Sequence, residues 1–241
     1  MLDACRADLF AEVVDDSERM TSVGSTSRTW LSRTFGAHSE LDNIGYITGN
    51  PFWTEIEHDE VGYFHVQNIE MTDHVIETVP PTVLTERAVE VWRRRSELEI
   101  NKLVIHFMQP HTPFRSEPGW FEQAIGEDSW SANVWKRLRD GELSQEKVWE
   151  AYVDNLNWVM EDGVTPLREN CEGRIALTAD HGNAIGEWGY YGHPLGCPVS
   201  AVREVPWKTI EGQDRGKLQP ETKSAVESAN VEKQLSALGY K

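Results

Sequence analysis

The residues best suited to chemistry lie in one stretch, Thr178-Ala179-Asp180-His181-Gly182-Asn183, followed by Gly186-Glu187 and then His193-Pro194. The apolar run 173–179 ahead of Asp180 predicts a strand that ends at the carboxylate. Ligands of α/β proteins gather at the carboxyl ends of such strands. Asp180 and His181 together offer a carboxylate oxygen and an imidazole nitrogen, a mixed set suited to zinc, manganese or another divalent ion. Gly182 is expected to let the backbone turn sharply beneath that ion. An Asp-His pair alone would more often cap a turn. The strand before it and the glycine-rich, histidine-bearing loop after it favour a site.

Three further segments carry groups of the same kind. Leu2-Asp3-Ala4-Cys5-Arg6 reads as a strand end with a carboxylate. Gly24-Ser25-Thr26-Ser27-Arg28-Thr29-Trp30 brings hydroxyls to the start of a helix, where Ser and Thr ordinarily serve as caps. Phe107-Met108-Gln109-Pro110-His111-Thr112-Pro113-Phe114 ends a strand in a proline-stiffened loop bearing His111. His106, inside the preceding apolar run, reads as a structural side chain.

Taken in order, these segments resemble the signature of the alkaline phosphatase and sulfatase superfamily. The resemblance implies that Asp3, Asp180, His181 and a hydroxyl hold one divalent ion (Zn, Mn, Mg or Ca). It implies that the hydroxyl is the nucleophile. Thr26 ranks first because it lies ten residues before Gly36, as family nucleophiles lie before a glycine; Ser27 follows, then Ser25. Metal coordination and a helix N-terminus would both lower the pKa of such a hydroxyl. His111 is implied to contact the oxyanion or protonate the leaving group, His193 to bind substrate or a second ion, and Arg28 to bind an anion. Family sulfatases carry Cys-x-Pro-x-Arg at the nucleophile, and this chain has neither the cysteine nor the proline. The implied activity is therefore a metal-dependent hydrolase or transferase acting on phosphate or sulfate esters through Ser or Thr, with a small-molecule or glycan ester as substrate. The alternatives are a true sulfatase and a degenerate, non-catalytic anion binder.

The elements that must position these groups alternate. Helices are predicted over 26–35, 83–98, 145–160 with Ser144 as N-cap, and 231–238. Strands are predicted over 45–51, 62–66, 102–108 and 173–179. This pattern predicts an α/β fold with a central, mostly parallel sheet flanked by helices on both faces. Residues 112–143, rich in Trp, Gly and charge, are expected to cross over the active face. Residues 1–241 read as one domain, with the apolar strand expected ahead of Asp3 cut short, as in a truncated gene.

Composition narrows the setting. Forty acidic residues against 23 basic ones leave a net charge of -17, spread along the chain. Such a surface stays soluble where concentrated salt screens self-repulsion, which predicts a halophilic, haloarchaeal type of protein. It also repels a phosphate backbone, so nucleic acid is excluded as a partner. Three cysteines without CxxC spacing read as reduced thiols. No apolar run reaches membrane-spanning length. A cytoplasmic location is the resulting expectation.

Overall fold

The computed structural model describes residues 1–36, 41, 43–55, 65–68, 78–120 and 134–220. Its strands are β1 Leu2–Asp3, β2 Glu18–Thr21, β3 Ile44–Thr48, β4 His65–Asn68, β5 Lys102–Pro110, β6 Gly173–Thr178, β7 Ala184–Ile185, β8 Tyr191–Gly192 and β9 Glu204–Gly212. Its helices are α1 Ala7–Val13, α2 Ser27–Phe35, α3 Pro81–Arg93, α4 Val134–Arg139, α5 Gln145–Val159, α6 Thr165–Asn170 and α7 Ser200–Arg203. The predicted helix 231–238 and the stretch 121–133 of the predicted excursion lie outside the described residues.

Parallel strands run in the order β4-β3-β5-β1, with Tyr46 opposite Val104, Thr48 opposite His106 and Leu2 opposite Phe107. A parallel bridge from Leu2 to Ala179 carries the order on to β6. From there β9 and β2 continue it antiparallel. The antiparallel turn has a physical cause. Parallel return requires a crossover to the far end of the sheet, whereas the chain between β6 and β9 stays at the carboxyl edge and builds the β7–β8 hairpin there. The carboxyl ends of β1, β3, β5 and β6 consequently meet along one edge.

Neighbouring residues of β3 face opposite layers, as strand pleating requires. Ile47 joins the large core formed with α1, α3 and α5, including Leu9, Leu84, Val89, Tyr152 and Leu156. Tyr46 packs with Leu31, Phe35 and Phe52 on the side of α2. The mostly parallel sheet thus has helices on both faces.

Element boundaries follow local chemistry. Pro81 opens α3 at its first turn, where its fixed φ and missing N–H cost nothing. The helix closes at Arg94, well short of residue 98. Leu98 produced the longer prediction because it still packs against the core, but from a turn. Ser144 caps α5, its hydroxyl accepting from Lys147 N–H at 3.3 Å. β5 extends beyond the predicted 108 to Pro110 and so delivers His111 to the sheet edge. Among the described residues no helix is long and apolar enough to cross a membrane.

Candidate metal centre and active site

Asp3 ends β1 and Asp180 follows β6, so parallel pairing sets the two carboxylates side by side. Asp180 is fully buried. Its Oδ1 accepts from Ala4 N–H and from His181 N–H, each at 2.9 Å. Asp3 Oδ2 accepts from Asn50 Nδ2 at 2.7 Å. Arg6 then ties this edge to the following hairpin. It clamps Asp8 through two bonds of 2.8 and 2.6 Å, pairs with Glu187 at 2.6 Å and donates to the Asn183 carbonyl. Glu187 of the Gly-Glu pair is thereby a structural latch.

His181 Nδ1 lies 3.0 Å from the Gly182 carbonyl, which can only accept. That proton therefore sits on Nδ1, and Nε2 presents a lone pair. It faces Asp180 Oδ2 at 3.4 Å, Asp3 Oδ1 at 4.0 Å and Ser27 Oγ at 3.4 Å. With metal–ligand bonds of about 2.0–2.2 Å, two ligands of one ion stand roughly 3–4.2 Å apart. All three separations fall in that range. Among the described residues, Asp3 Oδ1, Asp180 Oδ2 and His106 Nε2 are buried without hydrogen-bond partners. Asp3, His106 and Asp180 offer ligand atoms within 4.8 Å of one another. Unsatisfied, inward-facing acceptors of this kind fit a cation, since an uncompensated buried carboxylate is costly.

The electrostatics agree. Burial pushes the Asp3 carboxyl well above its ordinary 3.8, and the neighbouring Asp180 charge pushes it the same way, against the hydrogen bond from Asn50. Burial opposes ionisation of Asp180 too, but His181, His106 and the Ala4 hydrogen bond hold it low. Between pH 3.8 and the raised value, folded Asp3 keeps a proton that the unfolded chain has lost. Stability of the metal-free protein therefore falls as pH rises through that window. Asp3→Asn should accordingly raise the melting temperature of chelator-treated protein at neutral pH, with a gain that vanishes near pH 3.8, and should abolish stabilisation by added cation. Thermal unfolding at several pH values checks both.

The hydroxyls separate cleanly. Thr26 is the N-cap of α2, its Oγ1 accepting from Thr29 N–H at 3.2 Å in a reciprocal capping box. Ser25 Oγ donates to the Pro194 carbonyl at 3.1 Å and accepts from Gly196 N–H at 2.9 Å. Ser27, at the first position of the helix and buried, is the hydroxyl beside His181 and the carboxylates. The spacing ranked Thr26 ahead of Ser27 and counted it as a ligand; in the structure Thr26 Oγ1 is engaged in the cap, and Ser27 Oγ faces the cluster. A cap side chain points back along its own helix end, and one residue further on the helix turns its side chain into the cluster. Arg28 is exposed, its guanidinium 5.1 Å over the Phe52 ring.

His106, read from the sequence as structural, is fully buried, and its Nε2 lies 3.6 Å from Asp180 Oδ2 and 3.8 Å from Asp3 Oδ2. Burial pushes it down to about 4.

His111 donates Nδ1–H to the Thr112 carbonyl at 2.6 Å, so its Nε2 accepts from His193 Nε2–H at 3.1 Å. The His193 ring stacks on His181 with centroids 4.4 Å apart. Burial pushes His111 down to about 4. The pair is thus neutral at neutral pH and presents one shared N–H beside the cluster.

Gly182 is required for a reason other than the expected turn. A Cβ there would stand 2.2 Å from the Ala201 carbonyl oxygen and 2.9 Å from Arg6 Cγ. Gly182→Ala should therefore destabilise by about 1–3 kcal/mol through overpacking. Denaturant unfolding of the metal-free protein measures this, and an unchanged midpoint would mean that the loop yields freely.

No protein family and no curated protein matches the sequence. Solved structures do. The C-terminal periplasmic domain of phosphoethanolamine transferase EptC from Campylobacter jejuni aligns with a TM-score of 0.51 and 12% identity, over 87% of this chain and 77% of that domain. The integral membrane protein lipooligosaccharide phosphoethanolamine transferase A (EptA) from Neisseria meningitidis aligns with a TM-score of 0.50 and 12% identity. That match spans 99% of this chain and 53% of the larger protein. At such identity the likeness is one of fold.

Proposed function

We infer from this fold, which is that of the alkaline phosphatase and sulfatase superfamily, that the protein is a metal-dependent enzyme that hydrolyses or transfers phosphate esters, with Ser27 as its nucleophile. One observation carries the reading: Ser27 Oγ, at the N-terminus of α2, lies 3.4 Å from His181 Nε2 among unpartnered buried carboxylate oxygens. Asp3, Asp180, His181 and Ser27 would hold the ion. A divalent cation there lowers the pKa of the serine hydroxyl and neutralises the anionic ester oxygens.

The chain's own groups supply the rest. The α2 N-terminus favours the phosphoryl dianion. Ser27 Oγ releases its proton to solvent and attacks phosphorus in line, the bond to the ester oxygen breaks, and a phosphoserine forms. The leaving oxygen takes a proton from the His111–His193 pair, whose protonated form a dianionic ester favours by Coulomb attraction. Water or an alcohol then attacks the phosphoserine, its proton restoring the His111–His193 pair, and Ser27 Oγ leaves phosphorus and regains a proton from solvent, which completes hydrolysis or transfer. A hydroxyl in place of a cysteine at this position supports phosphate over sulfate esters. The transferase branch draws support from the transferases that share the fold, and a small-molecule or glycan ester fits either branch. Three buried free thiols, Cys5, Cys171 and Cys197, support a reducing, cytoplasmic setting.

The test is metal analysis of the purified protein followed by parallel screens of phosphate and sulfate esters in molar KCl. One ion per chain and turnover of phosphate esters are expected. Turnover of sulfate esters alone would make the protein a sulfatase, and an ion-loaded chain inert to both would be a non-catalytic anion binder. The -17 net charge supports a halophilic protein, whose melting temperature should rise from dilute buffer to molar KCl as screening relieves repulsion. A flat or falling trend refutes the halophilic assignment.

A further inference from the structure

We propose that His106 is a direct ligand of the ion, aimed by Tyr46, and that this second imidazole biases the centre towards zinc-like transition metals over magnesium and calcium. The proposal rests on the metal centre described above and adds a ligand that the family resemblance does not imply. His106 Nε2 stands 3.6 and 3.8 Å from the carboxylate oxygens of Asp180 and Asp3 and has no hydrogen-bond partner. These distances are too long for hydrogen bonds and match the roughly 3–4.2 Å between ligands sharing one ion. A histidine that merely filled the core would leave this nitrogen unsatisfied, at a cost of about 1–3 kcal/mol.

The other ring nitrogen shows how the lone pair is directed. Nδ1 lies 2.7 Å from the Tyr46 hydroxyl. Ligation through Nε2 requires the proton on Nδ1, donated to Tyr46 oxygen. The Tyr46 hydroxyl also hydrogen-bonds with Thr48. Thr48 Oγ1 accepts from Asn50 N–H at 2.8 Å, and Asn50 Nδ2 donates to Asp3 Oδ2 at 2.7 Å. The end of β3 therefore orients two ligands at once, His106 through Tyr46 and Asp3 through Asn50, as outer-shell partners of metal-bound histidine and carboxylate do. Two imidazoles with two carboxylates and a hydroxyl form a set that suits zinc, whereas magnesium and calcium favour oxygen donors alone.

Zinc-edge X-ray absorption of the full chain loaded with one zinc ion tests this directly by counting imidazoles. Two are expected, from His106 and His181, and one should remain in His106→Ala. Tyr46→Phe should keep both while weakening zinc binding roughly 10–100-fold, the usual effect of losing an outer-shell partner. His106→Ala should weaken zinc more than Tyr46→Phe does and narrow the preference for zinc over magnesium in competition titrations. A single imidazole in the wild-type protein at full zinc occupancy would overturn the proposal and leave the metal centre standing, without any variant needing to fold. A wild-type chain that binds no zinc, manganese, magnesium or calcium would overturn both.

Discussion

Asp180→Ala combined with His181→Ala should leave a folded protein that no longer retains a divalent ion. Both side chains are fully buried, and each would supply a ligand atom to the proposed ion. The double variant also frees the Ala4 and His181 N–H groups that Asp180 Oδ1 satisfies. Some stability will be lost for that reason, offset by removal of a buried charge. Asp180→Asn separates these effects: it keeps an oxygen for the two N–H groups but removes the charge, and it should lose the ion with a smaller change in melting temperature. Elemental analysis after dialysis, with circular dichroism to confirm folding, reads both. Full occupancy in the double variant would exclude this site.

The other large effect is kinetic. Ser27→Ala should lower kcat on an activated aryl phosphate by on the order of 10^3-fold or more, because bulk water lacks an activated, oriented hydroxyl. Thr26→Ala gives the contrast. Its hydroxyl caps α2, so the loss should be about 1 kcal/mol of stability, with turnover kept within an order of magnitude. His111→Ala should fall between the two, since the ion and the α2 N-terminus still bind the anion. Reversal of the Ser27 and Thr26 effects would restore Thr26 as nucleophile.

Much of this centre was legible in the sequence because its strongest signal is local. Asp180 and His181 are adjacent and follow an apolar strand, so both their chemistry and their place at a sheet edge could be read together. His111 followed the apolar run of β5 in a similar way, whereas Asp3, preceded only by Met1-Leu2, was read as a strand end without its strand. Which hydroxyl enters the cluster depended on the phase of α2 to a single residue. Spacing to Gly36 favoured Thr26, whereas the cap geometry spends Thr26 and turns Ser27 inward. His106 was hidden for another reason. His106 is set in an apolar run of β5, so the local sequence does not reveal that its side chain meets Asp3 and Asp180; the side-chain distances show it. The role of Gly182 was likewise invisible, because the approach of the Ala201 carbonyl is a long-range contact. The antiparallel β9 follows from where the chain emerges after the site loop, and local periodicity does not encode that.

The most direct test of Ser27 chemistry is mass spectrometry of an acid-quenched reaction between the metal-loaded protein and an activated aryl phosphate. A covalent phosphoryl adduct on Ser27 is expected, absent from Ser27→Ala and retained in Thr26→Ala. An adduct on Thr26 or Ser25, or undiminished turnover by Ser27→Ala, would contradict it.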